Sequence, residues 1–342
     1  MKPLVSILIP AYNAEKWIAE TLQSAAAQTW ERKEIIVVDD GSRDQTLAVA
    51  RQFAGKSIQV VRQENQGAAA ARNKALSLSQ GDYIQWLDAD DLLAPDKIMR
   101  QMEALGSEPN PRTLLSSSWG FFMYRPYRAQ FIPNALWCDL TPAEFLRRKL
   151  EQRIFMQTAV WLVSRELTDA AGPWDINMIS DDDGEYFCRV LRATQSVRFV
   201  GESKVYYREV QGARLSHVGR SDRKLEGLWH SMQLHMGYLR SLEDTAQTRA
   251  ACVQYLQNYL ITFYPLRLDI VEQMHRHARD LGGHLEPPRL PWKYRWIKDL
   301  AGWDLAKRAQ LFLPQIKWAF LFFWDNALFR IEKRRFADGL GI

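Results

Sequence analysis

The first hundred residues alternate short apolar runs with segments in which apolar residues recur at helical spacing. The apolar runs predict four buried strands, at residues 5–9, 34–38, 58–61 and 83–87. Helical spacing between them, as in Ile18, Leu22 and Ala25, predicts a helix after each of the first three strands. Strands that alternate with helices form right-handed βαβ units, so the pattern predicts a mainly parallel sheet flanked by helices.

After about residue 106 the pattern becomes less regular, because prolines interrupt it and aromatic residues are dense. Apolar spacing predicts a helix at residues 142–149 and another that follows the acidic run at 181–185. Two short apolar segments, at residues 197–200 and 204–207, predict late strands.

The last part of the chain is predicted to be helical from about residue 221, apart from a basic, proline-containing linker near residues 286–291. The length suits about two domains, or one large α/β domain with an appendage. These changes of pattern place one boundary near residue 106 and a second between about residues 214 and 221, after which the chain is a helical extension.

Composition places the chain among ordinary folded proteins. Of its 342 residues, 47% are hydrophobic and 25% are charged, which excludes low-complexity disorder and collagen-like repeats. Cys138, Cys188 and Cys252 are odd in number and far apart, so neither a disulfide framework nor a zinc cluster is expected. Reduced thiols of this kind are typical of a cytoplasmic protein. The net charge of +5 suits a membrane surface or an anionic substrate and does not by itself indicate nucleic acid.

Neither end of the chain predicts a membrane-spanning segment. The first apolar run stops at Pro10 and lacks the small-residue cleavage site of a signal peptide. Residues 318–324 read WAFLFFW, which is far shorter than the ~20 apolar residues that span a bilayer. This segment could lie in a membrane interface, with Arg330 and the basic residues 333–335 at anionic headgroups. The alternative is an aromatic helix that packs on the protein's own core or on another subunit.

Polar and acidic residues follow three of the four predicted strands. They are Tyr12 with Asn13, Asp39 with Asp40, and Asp88 with Asp90 and Asp91. Because parallel sheets bind ligands beyond the carboxyl ends of their strands, these side chains should meet at one edge of the sheet. Carboxylates gathered there repel one another unless a cation or hydrogen-bond donors compensate.

Asp88 and Asp90 form a D-x-D pair at the end of the fourth strand. Side chains at positions i and i+2 of an extended segment share a face, so both carboxylates can point at one site. Hard oxygen ligands suit Mg²⁺ or Mn²⁺ shared with a diphosphate, although strand-end acids also serve as helix caps. The chain lacks both G-x-G-x-x-G after the first strand and the G-x-x-x-x-G-K-[ST] pattern, which disfavours dinucleotide cofactors and P-loop chemistry.

Four segments of the first hundred residues resemble glycosyltransferase family 2, whose members have the GT-A fold. They read VSILIPAYNAEKWIAETLQSAAAQT, EIIVVDDGSRDQT, ENQGAAAARN and GDYIQWLDADD, in the family's order and at its usual spacings. Weaker matches continue to about residue 216. The resemblance implies an α/β GT-A fold in which residues 1–105 bind a nucleotide-sugar, residues 106–216 bind the acceptor, and residues 217–342 form a helical extension for a membrane surface or for oligomerisation.

The resemblance also implies roles for six residues at the sheet edge: nucleotide binding by Pro10, Tyr12, Asp40, Arg72 and Asp88, and metal binding by Asp90. Within this set, Asp40 would contact the base or ribose, Arg72 would lie near the base or phosphates, and Asp88 would face the ribose. The leaving nucleoside diphosphate gains negative charge as the glycosidic bond breaks, and the Mn²⁺ or Mg²⁺ held by Asp90 would neutralise it.

An inverting transfer also needs a general base for the acceptor hydroxyl. The stretch GPWDINMISDDDGEYFCRVL resembles the family's base region, and counting back from Arg189 places Asp183 at the base position and Asp182 beside it. Gly184 stands where the family usually has an aromatic residue, and three consecutive aspartates blur the assignment by one residue. The alternative for these acids is an acidic first helical turn that the helix dipole favours.

Three further residues are candidates for contact with the diphosphate or the acceptor. Tyr206-Tyr207-Arg208 resembles the family's aromatic-Arg motif, although Val210 replaces the usual trailing His. Arg208 or Arg214 could approach the diphosphate or remain a surface arginine. Trp174, in a Gly-Pro-Trp-Asp turn, is the third candidate.

The function that the resemblance implies is a metal-dependent, inverting transfer of a sugar from a nucleoside diphosphate sugar to a hydroxyl acceptor. Among the nucleotide-sugars, a UDP-sugar is the expected donor. The acceptor is expected to be a glycan or a lipid-linked molecule of bacterial cell-surface polysaccharide synthesis. We expect a cytoplasmic protein, with peripheral contact to the inner face of the membrane or self-association through the C-terminal region, and no nucleic-acid partner.

Two other classes of protein remain open from the sequence. A non-catalytic GT-A-like protein could bind nucleotide-sugars or glycans, or act as a scaffold in an assembly complex, but Asp40, Asp88, Asp90 and Asp183 are all intact. A nucleotidyltransferase on a similar sheet would prefer a glycine-rich phosphate loop after the first strand, where this chain has Ala-Tyr-Asn.

Overall fold

The structure, a computed structural model, describes residues 2–106, 110–210 and 221–339. Its strands are β1 (Val5–Ala11), β2 (Lys33–Asp40), β3 (Ile58–Gln63), β4 (Tyr83–Trp86), β5 (Leu92–Leu93), β6 (Thr113–Phe122), β7 (Gln130–Phe131), β8 (Val163–Ser164) and β9 (Ser196–Arg208). Its helices are α1 (Ile18–Ala26), α2 (Thr46–Arg51), α3 (Ala68–Leu78), α4 (Lys97–Ala104), α5 (Pro142–Glu151), α6 (Arg165–Ala171), α7 (Asp182–Ala193), α8 (Asp222–Leu242), α9 (Ala246–Phe263), α10 (Leu268–Asp280) and α11 (Trp292–Gly339).

A five-stranded sheet in the order β3-β2-β1-β4-β8 forms the centre of the first half. Its first four strands are parallel, and β8 runs antiparallel to β4. Strands β1 and β2 are buried almost throughout, because helices such as α3 cover the sheet, which explains their continuous apolar runs. All four strands predicted for this half are confirmed, and the carboxyl ends of β1, β2 and β4 meet at one edge.

A second sheet, in the order β5-β9-β6-β7, lies mainly in the region after residue 106. The two predicted late strands are wrong in one respect: they form the single strand β9, which pairs in parallel with β6. Val200 pairs with Ser117 and Lys204 pairs with Ser118, so the three residues between them interrupt the regular pairing with β6. Strand β6 was not predicted, and its centre is a run of buried serines.

The helical extension packs against α5 and α7 as part of the same core. Helices α8 and α9 contact α7 and α5, and Leu225, Leu256 and Phe263 belong to the hydrophobic cluster that includes the central sheet. The predicted helix at residues 142–149 is confirmed as α5, which begins at the N-cap Thr141. The predicted boundary between residues 216 and 217 lies outside the described residues.

Helix α11 is long and lies partly on the protein body. It bends at Gly302, which has a φ of 80°, and it is anchored where Arg125 pairs with Asp325 at 2.7 Å and Glu332 at 2.9 Å. The predicted linker before it is confirmed as non-helical. Among the described residues, no helix combines the length and the apolarity that crossing a bilayer requires.

Candidate active site

A cavity of about 1810 Å³ opens at the carboxyl edge of the first sheet, between residues of the first hundred and residues that follow them. Nine of the ten predicted site residues line it: Pro10, Tyr12, Asp40, Arg72, Asp88, Asp90, Asp182, Asp183 and Arg208. The position agrees with the rule that open parallel sheets bind ligands beyond the carboxyl ends of their strands. The end of α11 also contributes to the wall, through Asn326, Phe329 and Arg330.

The loop after β1 presents Tyr12 to this cavity, with 47% of the residue exposed. The next residue, Asn13, has a left-handed φ of 49°, which Asn adopts more readily than most residues. Its backbone N–H donates to Ser42 Oγ at 3.0 Å, and its Oδ1 accepts from the Arg43 N–H at 2.9 Å. The loop is therefore fixed while the Tyr12 ring stays available to stack on a flat ligand.

Asp40 ends β2 and is almost fully buried. Its Oδ1 accepts from Gln63 Nε2 at 2.8 Å and from the Gln66 N–H at 2.9 Å, and its Oδ2 accepts from Asn65 Nδ2 at 3.1 Å and the Gly67 N–H at 2.9 Å. These four bonds occupy the accepting positions of the carboxylate. Asp40 thus holds the loop at the start of α3, and its direct contact with a nucleotide stays a prediction.

Arg72 on α3 connects the two halves of the site. Its guanidinium donates to Asp88 Oδ1 at 3.0 Å, at the end of β4, and to Asp182 Oδ2 at 2.8 Å, at the start of α7. Burial lowers the pKa of Arg72, but Asp88, Asp182 and Asp183 outweigh it and raise the pKa above its usual value. The cation therefore balances the acids that surround the cavity.

Trp174 is not among the residues that line the cavity, so its position does not support the predicted contact with the diphosphate or acceptor, which stays a prediction. The residue is 1% exposed, and its ring packs between Tyr186, at 4.0 Å between ring centroids, and the Arg72 guanidinium, at 4.3 Å. Asn73 exchanges two hydrogen bonds of 2.8 Å with the Trp174 backbone. The Trp174 ring therefore packs against Arg72, and the Trp174 backbone holds α3 through Asn73.

The D-x-D pair lies at the cavity wall, where Asp88 and Asp90 are both partly exposed. Asp91 behind them is fully buried and accepts hydrogen bonds from Gln157 and from the Arg208 N–H. Burial, with Asp90 and Asp88 nearby, raises the pKa of Asp91 well above its usual value. Asp91 therefore orients the loop that carries the pair.

Arg208 ends β9 and holds the same loop from the other side. It is 1% exposed, and it donates to the Asp90 carbonyl at 2.8 Å and to Glu20 Oε2 at 2.5 Å. Its guanidinium is stacked between Trp17 and Phe122. Arg208 therefore supports the D-x-D loop. This arrangement does not show the predicted approach of Arg208 to the diphosphate. The other candidate, Arg214, lies outside the described residues.

The acidic run forms the first turn of α7. Asp181 precedes the helix in a left-handed conformation with φ 58°, and its carboxylate lies against Gly184, where a Cβ atom would be 2.4 Å from Asp181 Oδ1. A larger residue at position 184 would therefore displace the Asp181 side chain. Asp183 points into the cavity region, and burial, with Asp181 and Asp182 beside it, raises the pKa of Asp183 to about 8.

Residues that sequence analysis missed lie behind this turn. His235 on α8 is fully buried, with Nδ1 3.1 Å from Tyr255 Oη and Nε2 3.7 Å from Asp181 Oδ2. Burial lowers the pKa of His235 to about 4, so the ring is neutral. Lys149 on α5 lines the cavity, and although burial lowers its pKa, Asp181 and other neighbours raise it overall. No local signal connects these residues, because only packing of α5, α8 and α9 brings them together.

The carboxylates at the cavity wall suit a divalent cation that a bound substrate would also help to hold. Among the described residues, no group of three or more His, Cys, Asp and Glu side chains is placed to bind a metal ion. Asp88 and Asp90 nevertheless supply hard carboxylate oxygens at the cavity wall. Mg²⁺ is commonly bound by one or two carboxylates together with substrate phosphates, and this arrangement offers that number.

Comparison with sequence families adds independent information about this site. The family model for Glycosyl transferase family 2 matches residues 6–167. An uncharacterized glycosyltransferase of Rickettsia typhi is 27% identical over 273 residues, which are 76% of this chain and 80% of that protein. The putative teichuronic acid biosynthesis glycosyltransferase TuaG of Bacillus subtilis is 45% identical over 105 residues, or 30% of this chain and 42% of TuaG.

Solved structures show the same fold. The crystal structure of Staphylococcus aureus TarS 1–349 has a TM-score of 0.61 at 17% identity and covers 81% of each chain, and its complex with UDP-GlcNAc scores 0.58. The mannosyltransferase PcManGT of Pyrobaculum calidifontis, in complex with GDP-Man and Mn²⁺, has a TM-score of 0.52 at 18% identity over 96% of this chain and 86% of that one. These likenesses confirm the predicted GT-A fold.

Proposed function

We propose that this glycosyltransferase, whose residues 6–167 match the model of glycosyl transferase family 2, transfers a sugar from a uridine diphosphate sugar to a hydroxyl group of a cell-surface glycan or its lipid-linked precursor. The proposed transfer depends on a divalent cation and inverts the anomeric carbon. The observation that carries the proposal is the bridge that Arg72 makes between Asp88 and Asp182. It places the D-x-D pair and the acidic turn at one cavity, as a transfer between two substrates requires.

In this mechanism the donor lies at the sheet edge, with its base against the Tyr12 ring and its diphosphate at the D-x-D pair. When bound, a divalent cation held by Asp90, with Asp88 adjacent, supplies positive charge to the leaving diphosphate. The fixed loop around Asp91 and Arg208 keeps the Asp90 backbone in place, so little reorganisation is needed as charge develops.

Asp183 acts as the base in this proposal. Its carboxylate takes the proton of the acceptor hydroxyl while that oxygen attacks the anomeric carbon, and the bond to the diphosphate oxygen breaks with its electron pair going to the diphosphate. Attack from the side opposite the leaving group inverts the anomeric carbon. With a pKa of about 8, the carboxyl must first lose its own proton, so the proposed reaction is faster at mildly alkaline pH.

The class of donor and acceptor is supported by the relatives. TarS is known in complex with UDP-GlcNAc and PcManGT with GDP-Man, which supports a nucleotide-sugar donor. The name of TuaG refers to teichuronic acid biosynthesis, which supports a cell-surface glycan as the product.

Calorimetric titration of UDP, GDP and CMP, with and without Mn²⁺, tests the donor site. We expect one nucleotide to bind tightly only with the metal, and Asp90→Asn to abolish the dependence on metal. Asp183→Asn should keep this binding and lose release of nucleoside diphosphate from the matching sugar nucleotide. Asp169→Asn, at an exposed position on α6, is the matched control and should behave like the unchanged protein. Tight binding without any turnover under all metal conditions would instead indicate a protein that only binds nucleotide-sugars.

A further inference from the structure

Helix α11 exposes a long apolar stripe on its outward face. Leu305, Phe312, Ile316, Phe320, Phe323 and Ile331 recur at helical spacing on one side, and they are between 49% and 72% exposed. At 1.5 Å per residue the stripe is roughly 40 Å long. Monomeric proteins rarely expose an apolar surface of this extent without a partner for it.

The aromatic segment at residues 318–324 is part of this surface. Phe322 is buried on the protein body, but Trp318, Phe320, Phe323 and Trp324 are exposed. Packing on the protein's own core therefore accounts for only part of the segment, and the choice is between a lipid surface and another protein.

The charge of α11 favours an anionic surface. Residues 292–339 contain ten of the 45 Lys and Arg residues and five of the 40 Asp and Glu residues. The rest of the chain is therefore balanced, with 35 residues of each sign, and α11 carries the whole excess of +5. Two of its five acids, Asp325 and Glu332, pair with Arg125 on the protein body. A second copy of this helix would bring two strongly basic surfaces together, whereas anionic headgroups would be attracted to one.

The same helix forms part of the active-site wall. Asn326, Phe329 and Arg330 line the cavity, and the Phe329 ring stacks with Tyr124 at 6.2 Å between centroids. Phe323 and Ile331, within one or two turns of these residues, belong to the outward stripe. Whatever binds the stripe therefore lies beside the opening of the cavity.

We propose that α11 is an interfacial helix that lies in the headgroup region of an anionic lipid bilayer, with its apolar stripe toward the acyl chains and its basic residues at the lipid phosphates. Interfacial helices of this kind combine an aromatic apolar face with Lys and Arg. This position brings the cavity to the bilayer surface, where a lipid-linked acceptor would be presented. That last consequence rests on the proposed function, but lipid binding itself does not.

Cosedimentation of the full chain with lipid vesicles tests the proposal without donor or acceptor. We expect binding to vesicles of phosphatidylcholine mixed with phosphatidylglycerol and much weaker binding to phosphatidylcholine alone. The double variant Phe320→Gln/Phe323→Gln should bind the mixed vesicles at least about tenfold more weakly. Lys317→Gln should lose about fivefold on the mixed vesicles and nothing on phosphatidylcholine. Ile132→Gln, which removes an equally exposed apolar residue after β7, is the control and should bind unchanged.

The variants are at exposed positions, so their thermal stability and their binding of nucleotide should match those of the unchanged protein. The proposal is overturned if no vesicle binds the chain, or if the double variant binds as well as the unchanged protein. A dimer seen by light scattering would also overturn it, if the chain binds no vesicles and the double variant is a monomer. The stripe would then be the contact with a second copy of the chain. Loss of turnover with intact vesicle binding would count against the proposed function alone.

Discussion

Replacing Arg72 by Met tests whether one cation holds the two halves of the active site together. Arg72 is almost fully buried and donates one charge-assisted hydrogen bond to Asp88 and one to Asp182, whose side chains are 30% and 25% exposed. Each such bond contributes about 1.5–3 kcal/mol. Because both carboxylates keep some contact with water, we use the lower end and expect Arg72→Met to reduce the free energy of unfolding by about 3 kcal/mol, measured by urea titration.

The same substitution should change the pH dependence of turnover. Burial, Asp181 and Asp182 raise the pKa of Asp183 to about 8, while the charge of Arg72 acts against them. At pH 7 only about a tenth of a carboxyl with this pKa is ionised, so kcat/KM should rise with pH up to about 8 and then level off. Without the Arg72 cation, the pKa of Asp183 rises further, and this rise in kcat/KM should move to higher pH.

Two variants separate charge from geometry in this test. Arg72→Lys keeps the positive charge, so its pH profile should stay near that of the unchanged protein although one hydrogen bond is lost. Arg62→Met removes a half-exposed arginine 3.8 Å from Asp39, and its free energy of unfolding should change by less than about 1 kcal/mol. A pH profile of Arg72→Met that does not move, or a loss of stability no larger than that of Arg62→Met, would refute this account of Arg72.

Three other predictions concern single features of the site. Gly184→Ala places a Cβ atom 2.4 Å from Asp181 Oδ1, so it should displace the acidic turn and reduce turnover. We expect it to lower the free energy of unfolding by about 1–3 kcal/mol. The control Gly237→Ala, which has open space on α8, should not lower it. Tyr12→Ala should weaken nucleotide binding about tenfold in calorimetry, because stacking on a base contributes about 1–3 kcal/mol, and Tyr12→Phe should restore it. Chelation with EDTA should abolish release of nucleoside diphosphate, and added Mn²⁺ should restore it; undiminished release in EDTA would contradict a metal-dependent transfer.

The parallel sheet was predictable because burial on both faces leaves continuous apolar runs in the sequence. Strand β6 was not predictable by the same signal, because Ser116 and Ser118 in its centre satisfy their hydroxyl groups by bonding to the carbonyls of Arg198 and Gly201 on β9. A polar run of this kind resembles a loop until its partner strand is known. Residues 201–203 of β9 are a similar polar run, so the single strand β9 was predicted as two.

The candidate site was predictable where its residues follow strands, and less so where packing decides their direction. Tyr12, Asp88 and Asp90 lie at the cavity as expected, since the end of a strand fixes their place. Arg208 lines the cavity but bonds to the D-x-D loop, and Trp174 is buried behind Arg72, which their neighbours in sequence do not reveal. The role of His235 depends on its contact with Asp181, 54 residues earlier, and only the packing of α8 on α7 creates that contact.

Helix α3 has a consequence for the order in which substrates bind. The Gln66 and Gly67 amides, which donate to Asp40, come just before its first turn. Arg72 and Asn73, in its middle, bond to Asp182 and to the Trp174 backbone. A hinge between the two parts would have to break three hydrogen bonds, one from Arg72 to Asp182 and two between Asn73 and the Trp174 backbone, so the two sides move as one piece. A nucleotide that presses on the start of the helix therefore acts on the acidic turn directly. This linkage favours compulsory-order kinetics, in which the donor binds before the acceptor and product inhibition by the free nucleotide is competitive with the donor alone.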